Sequence, residues 1–202
     1  MPTAAKNGSR PPMRTERELL VDCLERLNRL GVSYMLVGSM ASNYWGIPRS
    51  THDLDFVLML QPVDVDRLAA EFREGFFVQP ESIRSAFSPP YQFNAIDESS
   101  ALKVDFWLLR DDTFERAAFD RRQPVSLFAT PAWITTAEDV ILHKLYWHRV
   151  SPSDRQLLDA AGVFAVQAAA LDLSHLRHWA AVLAVERELE DLVTGKLKPK
   201  TT

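Results

Sequence analysis

Two aspartates one residue apart, Asp53 and Asp55, open a strongly apolar run, Leu54 to Leu60. On a strand, residues i and i+2 point to the same face with Cα atoms about 6–7 Å apart. Two carboxylates that close repel and push a proton onto one of them. A hard divalent cation removes the repulsion, so the pair invites Mg²⁺ or Mn²⁺. An isolated Asp-x-Asp is common on solvated edge strands. Here the run is apolar enough for a central strand, where a charge needs a compensating role. A second apolar run, Leu102 to Leu109, carries its own isolated acid, Asp105. Gly38-Ser39 follows Tyr34-Met35-Leu36-Val37 at a strand-to-helix turn, where backbone N–H groups cradle phosphate.

The elements that must position these residues follow from pattern. Thr15 and Glu18 form a capping box ahead of Leu19, Leu20, Cys23, Leu24, Leu27 and Leu30, an amphipathic helix closed by Gly31. A strand over 34–37 leads into a short helix from Ala41 to Trp45. The Asp53–Leu60 strand places Leu54, Phe56, Leu58 and Leu60 on one face and Asp53, Asp55, Val57 and Met59 on the other. Pro62 opens a helix that Gly75 ends. Strands are expected around Phe77, over 83–87, 91–96 and 102–109, with the turn at 97–100. Asp112 caps a helix through Phe114 and Ala118, and 125–128 is a last short strand. From Thr135 the period is helical: Thr135/Glu138 and Ser153/Gln156 read as further capping boxes. Helices from Asp172 or Ser174 to Leu183 and from Glu186 to Val193 end the fold. The change from mixed sheet to helices falls near Pro131.

Composition narrows the classes. The 202 residues are 47% hydrophobic and 25% charged, enough apolar material for a real core. That excludes a disordered chain, a collagen-like repeat and a disulfide scaffold. The net charge of −4 leaves any contact with nucleic acid local, since proteins that coat nucleic acid are basic. Cys23 is the only cysteine and reads as a buried apolar residue in a reducing cytosol. Met1–Pro12 has no apolar segment of signal-peptide length, and no run of about 18 uncharged apolar residues offers a membrane span.

The combination Leu36-Val37-Gly38-Ser39, Asp53-Leu54-Asp55-Phe56 and Val104-Asp105-Phe106 resembles the DNA polymerase β-type nucleotidyltransferase superfamily. That signature is a Gly-Gly or Gly-Ser turn, an acid-apolar-acid triplet after about nine to thirteen residues, and a third acid from a later strand. The gap here, residues 40–52, is at the long end. The finer resemblance is to AbiEii-type nucleotidyltransferases, toxin components of abortive-infection and toxin–antitoxin systems. Arg49-Ser50-Thr51-His52-Asp53 matches their second motif. Thr135 to Lys144 approximates the third, with the acid at Asp139. Arg155-Gln156-Leu157-Leu158-Asp159 approximates the fourth, without its usual Lys-Asp pair.

The resemblance implies an α+β fold: a small mixed-sheet nucleotidyltransferase domain (14–130) and a helical domain (131–195) between tails 1–13 and 196–202. It implies NMP transfer from an NTP to a hydroxyl acceptor: an RNA such as tRNA, a protein or a small molecule. It also implies a possible antitoxin partner. Asp53, Asp55 and Asp105 would hold Mg²⁺ or Mn²⁺. Gly38 and Ser39 would hold the β- and γ-phosphates, with Arg49 and Thr51 beside them. Lys144 would meet the triphosphate, and Asp159 would orient Lys144. A catalytically idle binding partner is the alternative. A glycosyltransferase using Asp-x-Asp is disfavoured, because the acids come early and the third would have no role.

His52, beside the acids, points to the opposite face from Asp53 and is not expected as a ligand. Trp45, Trp107, Trp133, Trp147 and Trp179 are expected in the core. Arg121-Arg122 reads as a solvated charge pair at a helix end, and the tail carrying the lysines at 196, 198 and 200 reads as disordered.

Overall fold

A computed structural model describes residues 13–199. The expected N-terminal tail lies outside them except for Met13, as does the end of the C-terminal one, 200–202. Nine α-helices among the described residues surround one seven-stranded mixed sheet.

Helix α1 (Glu16–Leu30) carries the expected capping box: Thr15 accepts from the Glu18 N–H while Glu18 accepts from the Thr15 N–H. Its apolar stripe, Leu19 to Leu27, is fully buried, and Gly31 ends it at φ +66°. Strand β1 (Ser33–Leu36) leads through Val37 into α2 (Gly38–Trp45), and β2 (Leu54–Met59) follows. After a 3-10 turn at Pro62–Asp64 come α3 (Val65–Glu71), β3 (Phe76–Phe77), α4 (Pro80–Ser85), β4 (Gln92–Asp97) and β5 (Lys103–Leu108). Next are α5 (Thr113–Asp120), β6 (Gln123–Leu127) and β7 (Thr130–Ile134). Four helices close the chain: α6 (Ala137–Val150), α7 (Asp154–Gln167), α8 (Leu173–Leu183) and α9 (Glu186–Val193).

The sheet order is β3-β4-β5-β2-β1-β7-β6. Strand β2 is central, antiparallel to β1 and parallel to β5. Phe56 and Phe106 pair across β2 and β5, and Phe106 pairs with Phe93 of β4. Their rings stack at 5.7 and 5.0 Å in one row, the cross-strand contact that fixes register. Leu54, Phe56 and Leu58 join the main core with the α1 stripe. The opposite face of β2 meets a smaller cluster, in which Met35, Val57 and Phe119 pack with Trp107. Asp55 shares that second face. The expected turn at 97–100 is pinned by the buried Asp97, which accepts from Ser99, Ser100 and Arg14.

Four expectations need correcting. Residues 83–87, expected as a strand, lie largely in α4, because Pro80 supplies the first helical position and the buried pair is Ile83 and Ala86, at helical spacing. The helical half starts later than Pro131, which lies inside β7. There Thr130, Ala132 and Ile134 alternate as buried residues with exposed Pro131 and Trp133. This strand meets β1 only at Leu36 and Ile134, so Pro131 owes β1 no N–H. The α6 cap is Thr136, bonded to the Asp139 N–H, rather than Thr135. At Ser153 the cap position is right, but its side chain makes no capping bond.

Candidate active site

A cleft of about 680 Å³ opens between the second sheet face and α6, within the roughly 300–1,000 Å³ typical of small-molecule sites. Its lining includes Gly38, Ser39, Asp53, Asp55, Asp105 and Lys144. The three acids, read from two separate segments, thus meet in one place. The reason is register: β2 pairs with β5 so that Asp55 stands directly opposite Asp105. Asp53 sits one residue before β2, its N–H bonded to the Thr51 hydroxyl at 3.2 Å. Thr51 therefore shapes the approach to the acids.

Burial pushes the Asp55 carboxyl up, and the negative charges of Asp105 and Asp53 push it further, to about 6. Asp105 is shared with Lys103 (2.9 Å) and Asn94 (3.2 Å). Among the described residues, no three His, Cys, Asp or Glu side chains stand as a ready-made metal cage. The donor chemistry nonetheless fits a hard divalent cation. The acids offer only oxygen, and their charges are close enough to raise Asp55.

Gly38 adopts φ +63°, and a Cβ there would meet Asp55 Oδ2 at 2.2 Å. Glycine is demanded twice over, by backbone angle and by contact with the acid. Ser39 is buried at the first turn of α2, and its hydroxyl accepts from Arg49 at 2.9 Å.

Arg49 grips Asp159 with two N–H groups, at 2.6 and 2.7 Å. Lys144 donates to the same carboxylate at 2.8 Å. Burial raises the Asp159 carboxyl, but hydrogen bonds from Arg49 and Lys144 outweigh it and hold it below its ordinary value. Asp159 in turn raises Arg49. The triad joins the 47–53 loop to α6 and α7, with its Lys144 end in the cleft wall. His52 points away, to Glu16.

The sequence misses other residues of the cleft. Thr135 is 1% exposed, with a hydroxyl that has no partner, and Gln156 buries an unpartnered carbonyl oxygen. Trp107 and Trp147, expected in the core, line the wall with ring centroids 6.2 Å apart. Trp133, also expected there, is 40% exposed. Glu115 of α5 sits between Arg110 and His143, 3.2 and 3.4 Å away. Thr135 and Gln156 lie in motifs that could have flagged them; Trp107, Trp147 and Glu115 reach the cleft through the packing of α5 and α6 against the sheet, which one-dimensional spacing does not reveal.

No model of a known protein family matches the sequence, and neither does any curated protein. Among solved structures, an antigenic nucleotidyltransferase-like protein from Paracoccidioides brasiliensis superposes with a TM-score of 0.57 at 15% identity, covering 94% of this chain and 96% of that one. The ANT(2")-Ia structure in complex with adenylyl-2"-tobramycin also gives 0.57, at 13% identity over 85% and 98% of the two chains. The chain has the mixed α/β fold of the nucleotidyltransferases.

Proposed function

We propose that the protein moves an NMP group from an NTP to a hydroxyl acceptor, with Mg²⁺ or Mn²⁺ as cofactor. The observation that carries this reading is the in-register pairing of Asp55 with Asp105 in a cleft shared with Gly38-Ser39 and Lys144. Asp53, Asp55 and Asp105 would hold the cation, which when bound neutralises the triphosphate and polarises the phosphorus. Gly38 and Ser39 offer the first N–H groups of α2 to the β- and γ-phosphates. Lys144 exchanges its bond to Asp159 for the leaving pyrophosphate, as a point charge. Arg49 keeps Asp159 neutralised and orients the Ser39 hydroxyl, and Asp105 takes the proton of the attacking hydroxyl.

At the finer level, the reading is an AbiEii-type enzyme of the cytoplasm, with an RNA end, a protein or a small molecule as acceptor and an antitoxin as partner. Its support is Arg49-Ser50-Thr51 and the run from Thr135 to Lys144. No helix among the described residues is long and apolar enough to cross a membrane. The second reading, an idle binding partner, draws on the Lys103–Asp105 ion pair, which occupies the third acid.

The test is incubation with each labelled NTP, Mg²⁺ and a cell extract, beside an Asp53→Ala, Asp55→Ala double variant. Label on one class of molecule with the native protein alone supports transfer and names the acceptor. Equal labelling, or none, removes the enzymatic reading in favour of the idle one.

A further inference from the structure

The wall of the cleft contains more than the proposed chemistry requires. Lys144 touches Asp159 at 2.8 Å, and His148 meets Ser153 at 3.0 Å. Helices α6 and α7 are therefore antiparallel, with Trp147 and Gln156 at one level. That level is a helical turn, about 5 Å, beyond the Lys144–Asp159 pair. Both residues line the cleft.

Trp147 is 42% exposed, a large apolar ring left open to solvent. One side meets Trp107 at a tilt of 51°, so the two rings do not close over each other. On the same cleft wall, the Gln156 carbonyl oxygen is buried without a partner. A buried acceptor left without a partner costs more than a made hydrogen bond contributes, so an orphan in a cleft wall calls for a partner that a ligand can supply. An aromatic face and an unsatisfied carboxamide oxygen in one cleft wall match one chemistry closely. A heteroaromatic ring stacks on the first, and its edge, carrying N–H and acceptor atoms side by side, pairs with the second.

We infer that Trp147 and Gln156 form the nucleobase subsite of the NTP, Trp147 by stacking and Gln156 by reading the base edge. The inference rests on the proposed nucleotidyl transfer and extends it from the phosphates to the base. Trp147 contributes affinity for every base, because every base has a π-face. Gln156 contributes discrimination, because its carboxamide distinguishes donors from acceptors where a π-face does not.

The experiment compares binding of the four NTPs with binding of inorganic tripolyphosphate, all with Mg²⁺, by calorimetry on the full chain. Tripolyphosphate has the phosphates and no base. Trp147→Ala should weaken every NTP about tenfold or more and leave tripolyphosphate unchanged. Gln156→Leu should shrink the ratio between the best and worst NTP severalfold, again without touching tripolyphosphate. Should Gln156→Leu fail to fold, Gln156→Glu keeps the size and presents only acceptors. It should move the preference toward guanine, whose pairing edge offers two adjacent N–H groups. Equal losses for NTP and tripolyphosphate, or unchanged NTP affinities and ratios in these variants, would overturn the subsite while leaving the phosphate site standing. If the native protein binds neither ligand, the proposed function fails, and the subsite with it.

Discussion

A Cβ on Gly38 would fall 2.2 Å from Oδ2 of Asp55, so the turn after β1 and the central acid of β2 are built against each other. Gly38→Ala must both adopt φ +63° and displace the carboxylate. A non-glycine residue held there costs about 1–3 kcal/mol, and the moved acid should reduce transfer more than tenfold. Urea unfolding and the transfer assay check this together; native values in both would contradict the assignment.

Asp55 is charged at a cost, since burial and two neighbouring acids raise it to about 6. Asp55→Asn keeps the shape and removes the repulsion, so the metal-free protein should melt higher, by about 1 kcal/mol or more of added stability. Mg²⁺ with a non-hydrolysable NTP should raise the melting temperature of the native protein by mass action and that of Asp55→Asn much less. Chelation with EDTA should abolish both the shift and the transfer. A variant less stable than the native protein would mean that Asp55 supports the fold rather than strains it.

Lys144 is buried and ion-paired, so its removal cannot be silent in stability. Taking one partner from a buried pair typically costs about 3–5 kcal/mol. Here Arg49 still neutralises Asp159, and about 1–3 kcal/mol is expected for Lys144→Ala. Transfer should fall roughly ten- to more than a hundredfold, through loss of a charge-assisted bond. Leu145→Ala, also in the core, should cost about 2–5 kcal/mol of stability with little change in the rate of the folded fraction. Full activity in Lys144→Ala would reduce the helical half to a scaffold.

His143 bonds the Asp139 carbonyl through Nδ1, which fixes the proton there and turns Nε2 toward Glu115. Burial alone would lower His143, but Glu115 outweighs it and raises it above 6.5. Burial would likewise raise Glu115, but His143 and Arg110 hold it at about 2, against 4.5 unfolded. The Glu115 contribution is present above pH 4.5 and lost as pH falls toward 2; the His143 contribution is full below pH 6.5 and lost as pH rises through its raised value. Melting temperature should therefore be highest between those two limits. Glu115→Gln should flatten both limbs by several degrees. Parallel curves for the two proteins from pH 3 to 9 would show that the pair does not stabilise the fold.

The strands carrying the acids, the α1 capping box and the Gly38-Ser39 turn were legible because each is local. Alternation along Leu54–Met59 and a cap three residues from its partner need no knowledge of the rest of the chain. Strand β7 was hidden by Pro131, and the 83–87 segment could be read with either period, because two buried residues do not distinguish alternation from a helical turn.

Amino-acid order alone determined which carboxylates, which glycine and which lysine the molecule has to work with. Tertiary structure decided how they meet. Register sets Asp55 against Asp105, two positions 50 residues apart in the chain. The Arg49–Asp159–Lys144 triad needs a loop and two helices to dock. Trp147 and Gln156 line one cleft only because α6 and α7 are antiparallel at one particular level. Those relations are fixed by the packing of distant surfaces, whose free energy depends on the whole core and has no local sequence signature.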